Sequence, residues 1–345
     1  MSAELGKQIL RDVEDLPATI DFSEVSGKEV LITGASGLIG QYLLASFGRA
    51  AACGYSPKNL YLVVYHEPPP YFAILCHDLP VTIIKADLAD PAAATSLPSA
   101  DIVIHAAGYG QPGKFLADPV RTLRLNTLAT FTTLDTLTPG GKYVFVSSSE
   151  VYSGLTIPPF REEQIGTTNT DHPRACYIEG KRAGEAIVNA HRLNGVSAKS
   201  ARLSLAYGPG TRPDDTRVMS NFIKKALYNG RIEMLDAGTA WRTYIYVVDA
   251  VELILDVLFR GTHAIYNVGG SSRTTIRNLA TSIGDRLNVP VSLPHEQSGG
   301  LAGAPDDVFL DMSRSQREFG KTAFVTFEDG LDRTITWQKE LYGRA

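Results

Sequence analysis

The chain has 345 residues, of which 44% are hydrophobic and 20% charged, a make-up that excludes global disorder and allows a cofactor domain with a smaller appended lobe. A net charge of −4 without a basic run excludes the electrostatic footprint of a nucleic-acid or membrane partner and leaves a small molecule as the default ligand. The three cysteines, Cys53, Cys76 and Cys176, have no paired spacing, so they offer neither a disulfide framework nor a metal site, and a reducing compartment fits best.

Residues 1–26 carry Glu4, Asp12, Glu14 and Asp15 and no apolar signal core, so they read as an N-terminal extension of a cytoplasmic protein. No run approaches membrane-spanning length. From Glu29 onward, apolar β-rich runs alternate with helical stretches: Val30–Thr33, Leu60–Tyr65, Val81–Lys85, Ile102–His105, Tyr143–Ser147 and Ala198–Ser204. Runs without polar alternation suit strands buried on both faces, and the helices between them supply parallel crossovers. The expected fold is α/β, a doubly wound parallel Rossmann sheet over residues 27–204. Beyond Tyr207 the regularity fades into Gly-, Pro- and Asp-rich pieces, Gly208–Asp215 and Ser298–Asp307 among them. Residues 205–240 and 271–345 are therefore expected to form a smaller C-terminal substrate-binding lobe. The run Ala264–Gly269 reads as a strand through which residues 241–270 return to the main sheet.

Gly34, Gly37 and Gly40 follow the first strand directly and open a helical pattern, Leu38–Phe47. A backbone that turns sharply and then approaches a pyrophosphate needs glycine at such points, and the free N–H groups at the helix start face the anion. The spacing is GxxGxxG, but its place after Val-Leu-Ile-Thr is what dinucleotide binding requires; the alternative is a tight strand-to-helix turn. A carboxylate at the end of the second strand would bind a ribose 2′-hydroxyl, whereas a nearby arginine would favour a 2′-phosphate. That strand ends Tyr65-His66-Glu67 with no arginine close in sequence, which favours NAD, although Glu67 also reads as a surface acid. Asp87-Leu88, after the third strand, is placed to hold the adenine edge or simply to cap a loop.

Tyr177 and Lys181 stand four residues apart in a helical pattern running from Arg174 to Arg192, which puts both on one face. A phenol with a pKa near 10 is a poor base at neutral pH, and an adjacent ammonium is expected to lower that pKa. The alternative is an exposed surface pair. Ser147-Ser148-Ser149, some thirty residues earlier, offers a hydroxyl to share the substrate's proton, which together makes a hydride-transfer site.

With these residues in view, the chain resembles the extended short-chain dehydrogenase/reductases that modify nucleotide sugars, and among them the UDP-glucuronate decarboxylases. Four segments carry the likeness: Asp118-Pro-Val-Arg-Thr-Leu-Arg-Leu-Asn126-Thr, Ser148-Ser-Glu-Val-Tyr152, Pro173-Arg-Ala-Cys-Tyr-Ile-Glu-Gly-Lys-Arg182 and Asp214-Asp-Thr-Arg-Val-Met-Ser-Asn-Phe222. The resemblance implies a cofactor set of Gly34, Ser36, Gly37, Leu38, Ile39 and Gly40 at the turn, Asp87 and Leu88 at the adenine end, Ala106, Ala107, Gly108 and Asn126, with Tyr177 and Lys181. It implies catalysis by Tyr177, Lys181, Ser148, Ser149, Glu150 and Arg242, and substrate binding by Arg217, Asn221 and Arg242. No metal is implied, and a homodimer through the helices around Thr122–Leu137 and Arg174–Arg192 is.

Glu150 helps to separate reactions within such a superfamily. A 4,6-dehydratase places Asp-Glu there and a simple 4-epimerase a small residue, so the Ser149-Glu150 pair is similar to the decarboxylases; the alternative is a loop-capping carboxylate. Arg242 would face a phosphate or carboxylate, or else pair with Asp236 or Asp249. Arg217 and Asn221 would line the nucleotide end of the cleft, or sit on a helix surface. The implied reaction begins with oxidation at C4 by NAD, after which a C5 carboxylate can leave as carbon dioxide. Three departures point to an altered sugar pocket: Leu205 replaces an asparagine, no arginine precedes Ala304-Pro-Asp-Asp, and the turn Gly108-Tyr-Gly-Gln-Pro-Gly-Lys114 is unlike the family's loop. An epimerase or 4-reductase without carbon loss, and a non-catalytic NAD-bound scaffold, are the alternatives.

Overall fold

In the computed structural model, which describes residues 2–95, 97–294 and 307–344, the alternating runs close into one seven-stranded parallel sheet. Its strands are β1 (Glu29–Thr33), β2 (Asn59–Val64), β3 (Val81–Lys85), β4 (Ala100–His105), β5 (Leu137–Ser148), β6 (Ser197–Leu203) and β10 (Ile265–Val268), in the order β10-β6-β5-β4-β1-β2-β3. Side chains of one strand alternate between two cores: Val30 and Ile32 pack on one face of the sheet, Leu31 on the other with Val63 and Val103. Burial on both faces explains why the central strands read as unbroken apolar runs. β3 departs from that expectation, because as the edge strand it leaves Thr82, Ile83 and Lys85 exposed. The chain winds outward in both directions from β1 and β4, and the glycine turn leaves β1 at this switch point, where doubly wound sheets bind ligands.

After β6 the chain builds smaller sheets. β7 (Leu205–Tyr207) runs parallel to β9 (Trp241–Tyr246), which pairs antiparallel with β11 (Ser272–Thr275), while β8 (Ile232–Glu233) pairs with β12 (Val291–Ser292). Helices Val218–Asn229 and Ile276–Leu287 pack in the same region. Because β9 belongs to this small sheet, the return to the main sheet runs through helix Val247–Phe259 and β10 only. The stretch Ala304-Pro305-Asp306 lies outside the described residues.

The first 26 residues are more than an extension. Helix Ser2–Asp12 and the segment after it bury Leu5, Ile9, Val13, Leu16, Phe22 and Val25 in the main core. At the end of that helix the Asp12 carboxylate accepts hydrogen bonds from the Tyr42 hydroxyl at 2.6 Å, from the Tyr246 hydroxyl, and from Arg333 Nη1 at 2.9 Å. These donors come from the helix of the glycine turn, from β9 and from the last helix, Phe327–Leu341. Among the described residues no helix is long and apolar enough to cross a membrane.

Candidate functional site

The turn after β1 takes the form that the glycine spacing predicts. Gly34 has φ +68° and its Cβ would lie 2.8 Å from the Ala106 carbonyl, while a Cβ on Gly40 would overlap the Gly34 carbonyl. Glycine is required at both. Helix Leu38–Ala52 then starts at Gly37 with no side-chain cap, which leaves the N–H groups of its first turn without a side-chain acceptor, as a site for an anion requires. Next to it, Thr33 and the buried His105 share a hydrogen bond of 2.7 Å, and Thr33 Oγ1 accepts from Ala107 N at 3.1 Å. Burial holds the imidazole neutral, its pKa down to about 3. This pair, which no spacing in the sequence marks, fixes the Ala106-Ala107-Gly108 turn.

Gly108 faces two further residues, for a Cβ there would lie 3.6 Å from Lys181 Nζ and 3.8 Å from Asn126 Oδ1. Asn126 donates to the Thr122 carbonyl at 2.8 Å, and its buried Oδ1 has no partner among the described residues. An orphaned acceptor beside an ammonium and an uncapped helix start fits a site built for a bound polar group. The residues present fit a dinucleotide on this count.

Tyr177 and Lys181 come from helix Ala175–Leu193, which packs against β5 and β6, and both are buried. Ser148, the last residue of β5, hydrogen-bonds the Tyr177 phenol and accepts from Glu150 N at 3.2 Å. The electrostatics differ from the expectation. Burial raises the Tyr177 pKa to about 12, with the Ser148 hydrogen bond as the main opposing influence. The ammonium instead donates to the Val146 carbonyl at 2.8 Å, lies 5.9 Å from the centre of the Tyr177 ring, and is itself depressed to about 7 by burial. The phenol ring stacks on Phe115 at 4.6 Å. A lysine that is only half protonated at neutral pH supplies less positive charge to its neighbour than a fully protonated one.

Glu150 lies in the short turn Ser149–Tyr152 after β5, and its carboxylate pairs with Arg174 and accepts from Ser153 Oγ at 3.4 Å. Burial pushes its pKa up, while Arg174 and then Arg242 pull it down. Arg174 is the residue that sequence reasoning missed: it stood in the quoted Pro173-Arg174-Ala175-Cys176 motif, with no partner visible until the fold was in hand. Arg242 donates to the Trp241 carbonyl at 2.7 Å and acts on Glu150 and Tyr244. The alternative partners have other bonds, for Asp249 pairs with Lys321 and Asp236 caps Gly238 N. Arg217, at the start of helix Val218–Asn229, is held by Asp215 and by the Ala206 carbonyl, and its charge is felt at Tyr177 and Tyr244. Asn221 lies one turn along, its N–H bonded to the Arg217 carbonyl. Ser149 and Glu150 border a small pocket with Asp307 and Val308.

Beneath the serines lies a buried network. Glu185 accepts from Ser147 Oγ at 2.6 Å and from Arg202 Nε and Nη2 at 2.9 and 2.8 Å, and Arg202 Nη1 donates to the Tyr152 hydroxyl at 2.9 Å. It ties helix Ala175–Leu193 to β5, β6 and the Ser149–Tyr152 turn.

At the opposite end of the turn, Asp87 accepts from Ala89 N at 3.0 Å and from Arg121 Nη2 at 2.7 Å. The Arg121 guanidinium lies 4.6 Å from the centre of the Tyr65 ring. From sequence no arginine stood near the end of β2; tertiary structure brings one there from helix Pro119–Asn126. Leu88 is buried behind Asp87, and Glu67 is exposed, beyond the end of the strand.

The sequence profile of the NAD dependent epimerase/dehydratase family matches residues 30–269. The chain is 29% identical over 343 residues to UDP-glucuronic acid decarboxylase 1 of Xenopus tropicalis, an alignment that covers 94% of this chain and 75% of that protein. Among solved structures, DesIV from Streptomyces venezuelae, a dTDP-glucose 4,6-dehydratase with NAD and TYD bound, superposes with a TM-score of 0.79 at 23% identity, over 91% of this chain and 98% of that one. MoeE5 in complex with UDP-glucuronic acid and NAD superposes with a TM-score of 0.73 at 24% identity, over 90% and 99%. The profile spans most of the chain, and the fold is that of the solved relatives. The chain belongs to the NAD dependent epimerase/dehydratase family, an extended short-chain dehydrogenase/reductase whose cofactor is NAD.

Proposed function

We propose that this enzyme acts on a nucleotide sugar at C4 through Ser148, Tyr177 and Lys181, and decarboxylates a UDP-glucuronate-like substrate. The observation that carries the reading is the convergence of Tyr177 and Ser148 with a buried carboxylate, Glu150, held by Arg174 and within the field of Arg242. The decarboxylase relatives and the UDP-glucuronic acid complex of MoeE5 support the substrate class. NAD, seated over the turn from Gly34 to Gly40 and against Ala106 to Gly108 and Asn126, would accept hydride from C4 and return it.

Tyr177 takes the proton of the 4-hydroxyl, with Ser148 bonded to the same oxygen. A phenol at about 12 needs added positive charge to do so at neutral pH, and a Lys181 that is fully protonated in the loaded site supplies it. The C4 ketone stands β to the C5 carboxylate, so carbon dioxide leaves with its bonding electrons passing to the C4 oxygen as an enolate. Glu150 and Arg242 position the ring while C5 regains a proton. Arg217 and Asn221 belong to the stretch 205–240, which would supply part of the substrate-binding lobe.

A second reading, epimerisation or 4-reduction without carbon loss, is favoured by the altered rim. The Leu205 side chain, in β7, cannot donate a hydrogen bond to a phosphate, and Gln111 and Lys114 bond to Thr216 and Asp214, just before helix Val218–Asn229. Incubation with a panel of nucleotide sugars, read by product mass, separates the two. Loss of carbon dioxide from UDP-glucuronate supports decarboxylation, and turnover without carbon loss overturns it. The same reading includes a homodimer through helices Pro119–Asn126, Leu128–Leu134 and Ala175–Leu193, where Val120, Leu123 and Phe131 are exposed.

A further inference from the structure

The adenosine end of the cofactor site departs from the usual means of selecting NAD. In dinucleotide-binding sheets a carboxylate at the end of the second strand receives the ribose hydroxyls and repels a phosphate on the 2′-oxygen. Here β2 ends at Val64 and the next residue is Tyr65, 45% exposed, with the His66 ring against it at 4.3 Å. In place of the carboxylate a cation lies over that tyrosine. Arg121 is fixed there by its 4.6 Å approach to the ring, by Nε donating to the Tyr109 hydroxyl at 2.8 Å, and by Nη2 donating to Asp87 at 2.7 Å.

We propose that Arg121 forms a subsite for a 2′-phosphate at the end of β2, so that this chain binds NADP as well as NAD. Two of the guanidinium's N–H donors are spent, on Tyr109 and Asp87, and the others meet no acceptor among the described residues. The side chain is 21% exposed, so a ligand can reach it. Asp87, the acid nearest to hand, has its charge engaged by Arg121 and by Ala89 N, which reduces its repulsion of an incoming phosphate. Glu67 is exposed three residues beyond the strand end, past the point where an acid would meet the ribose. A guanidinium held by stacking and two hydrogen bonds is preorganised for a charge-assisted bond to phosphate. The inference rests on the turn and the second strand, whichever sugar the distant lobe takes.

Calorimetric titration of the full chain with 2′,5′-ADP and 5′-AMP isolates the added phosphate. The expected result is that 2′,5′-ADP binds at least as tightly as 5′-AMP, and that NADP and NAD differ by less than about tenfold in Kd. Arg121→Gln should remove the advantage of 2′,5′-ADP. Tyr65→Asp, an exposed substitution that does not depend on how Asp87 responds to the loss of its arginine, should weaken 2′,5′-ADP by about tenfold or more and leave 5′-AMP within about threefold. Weaker binding of 2′,5′-ADP than of 5′-AMP to the unaltered chain overturns the proposal, as does an equal effect of Tyr65→Asp on both probes.

Discussion

Tyr177 and Lys181 are one helical turn apart, yet burial moves their pKa values in opposite directions, to about 12 and about 7. Tyr177→Phe removes the phenol while keeping the ring stacked on Phe115. Turnover of the nucleotide sugar should fall by about a thousandfold with NAD affinity nearly unchanged, and wild-type rates would show that another group is the base. For Lys181 the sign follows from linkage. Its folded-state pKa lies below the unfolded value of about 10.4, so the unfolded chain binds more protons between the two and stability rises with pH across that window. Lys181→Met should therefore flatten the rise in Tm between about pH 7 and 10 in nucleotide-free protein; an unchanged profile would mean that the ammonium is not desolvated. Arg174 opposes the upward pull of burial on Glu150. Arg174→Ala should shift the acid limb of the pH–rate profile to higher pH, and an unmoved limb would separate Glu150 from the rate.

At the scale of elements, the buried pair Glu185 and Arg202 does for the site what no single strand does. It fixes how helix Ala175–Leu193, which carries Tyr177 and Lys181, sits over β5, which carries Ser148. Removing one partner strands a buried charge, so Glu185→Ala should cost about 3–5 kcal/mol in urea unfolding, and a cost under about 1 kcal/mol would mean that solvent reaches the pair. Local patterns explain how much could be read without coordinates. The apolar runs of β1, β2, β4 to β6 and β10 announce strands buried on both faces, and the glycine turn is legible because its constraints act within seven residues, from Gly34 to Gly40. Tyr177 and Lys181 are legible through helical spacing. Arg174 with Glu150, Arg121 with Tyr65, Thr33 with His105 and Glu185 with Arg202 were not, because each meets its partner only through the tertiary fold. The depressed lysine and raised tyrosine were missed for a related reason, since desolvation depends on everything packed around a group and not on its neighbour along the helix.

On the scale of the whole molecule, Val120, Leu123 and Phe131 leave apolar surface on the helices beside the site. Introducing charge there, as in Leu123→Glu with Phe131→Glu, should convert a dimer to a monomer in sedimentation velocity without altering the circular dichroism of the chain. A wild-type protein that sediments as a monomer would remove that interface. The clasp at Asp12 carries a different consequence. Its three donors lie at residues 42, 246 and 333, the last of them 321 positions along the chain. A ribosome makes the Ser2–Asp12 helix 321 residues before it makes Arg333, so over that interval the helix lacks the contact that completes its seat. Such distant closure delays the final docking until Arg333 has been synthesised. The nascent chain must meanwhile keep Leu5, Ile9 and Val13, residues destined for the interior, out of the reach of other chains.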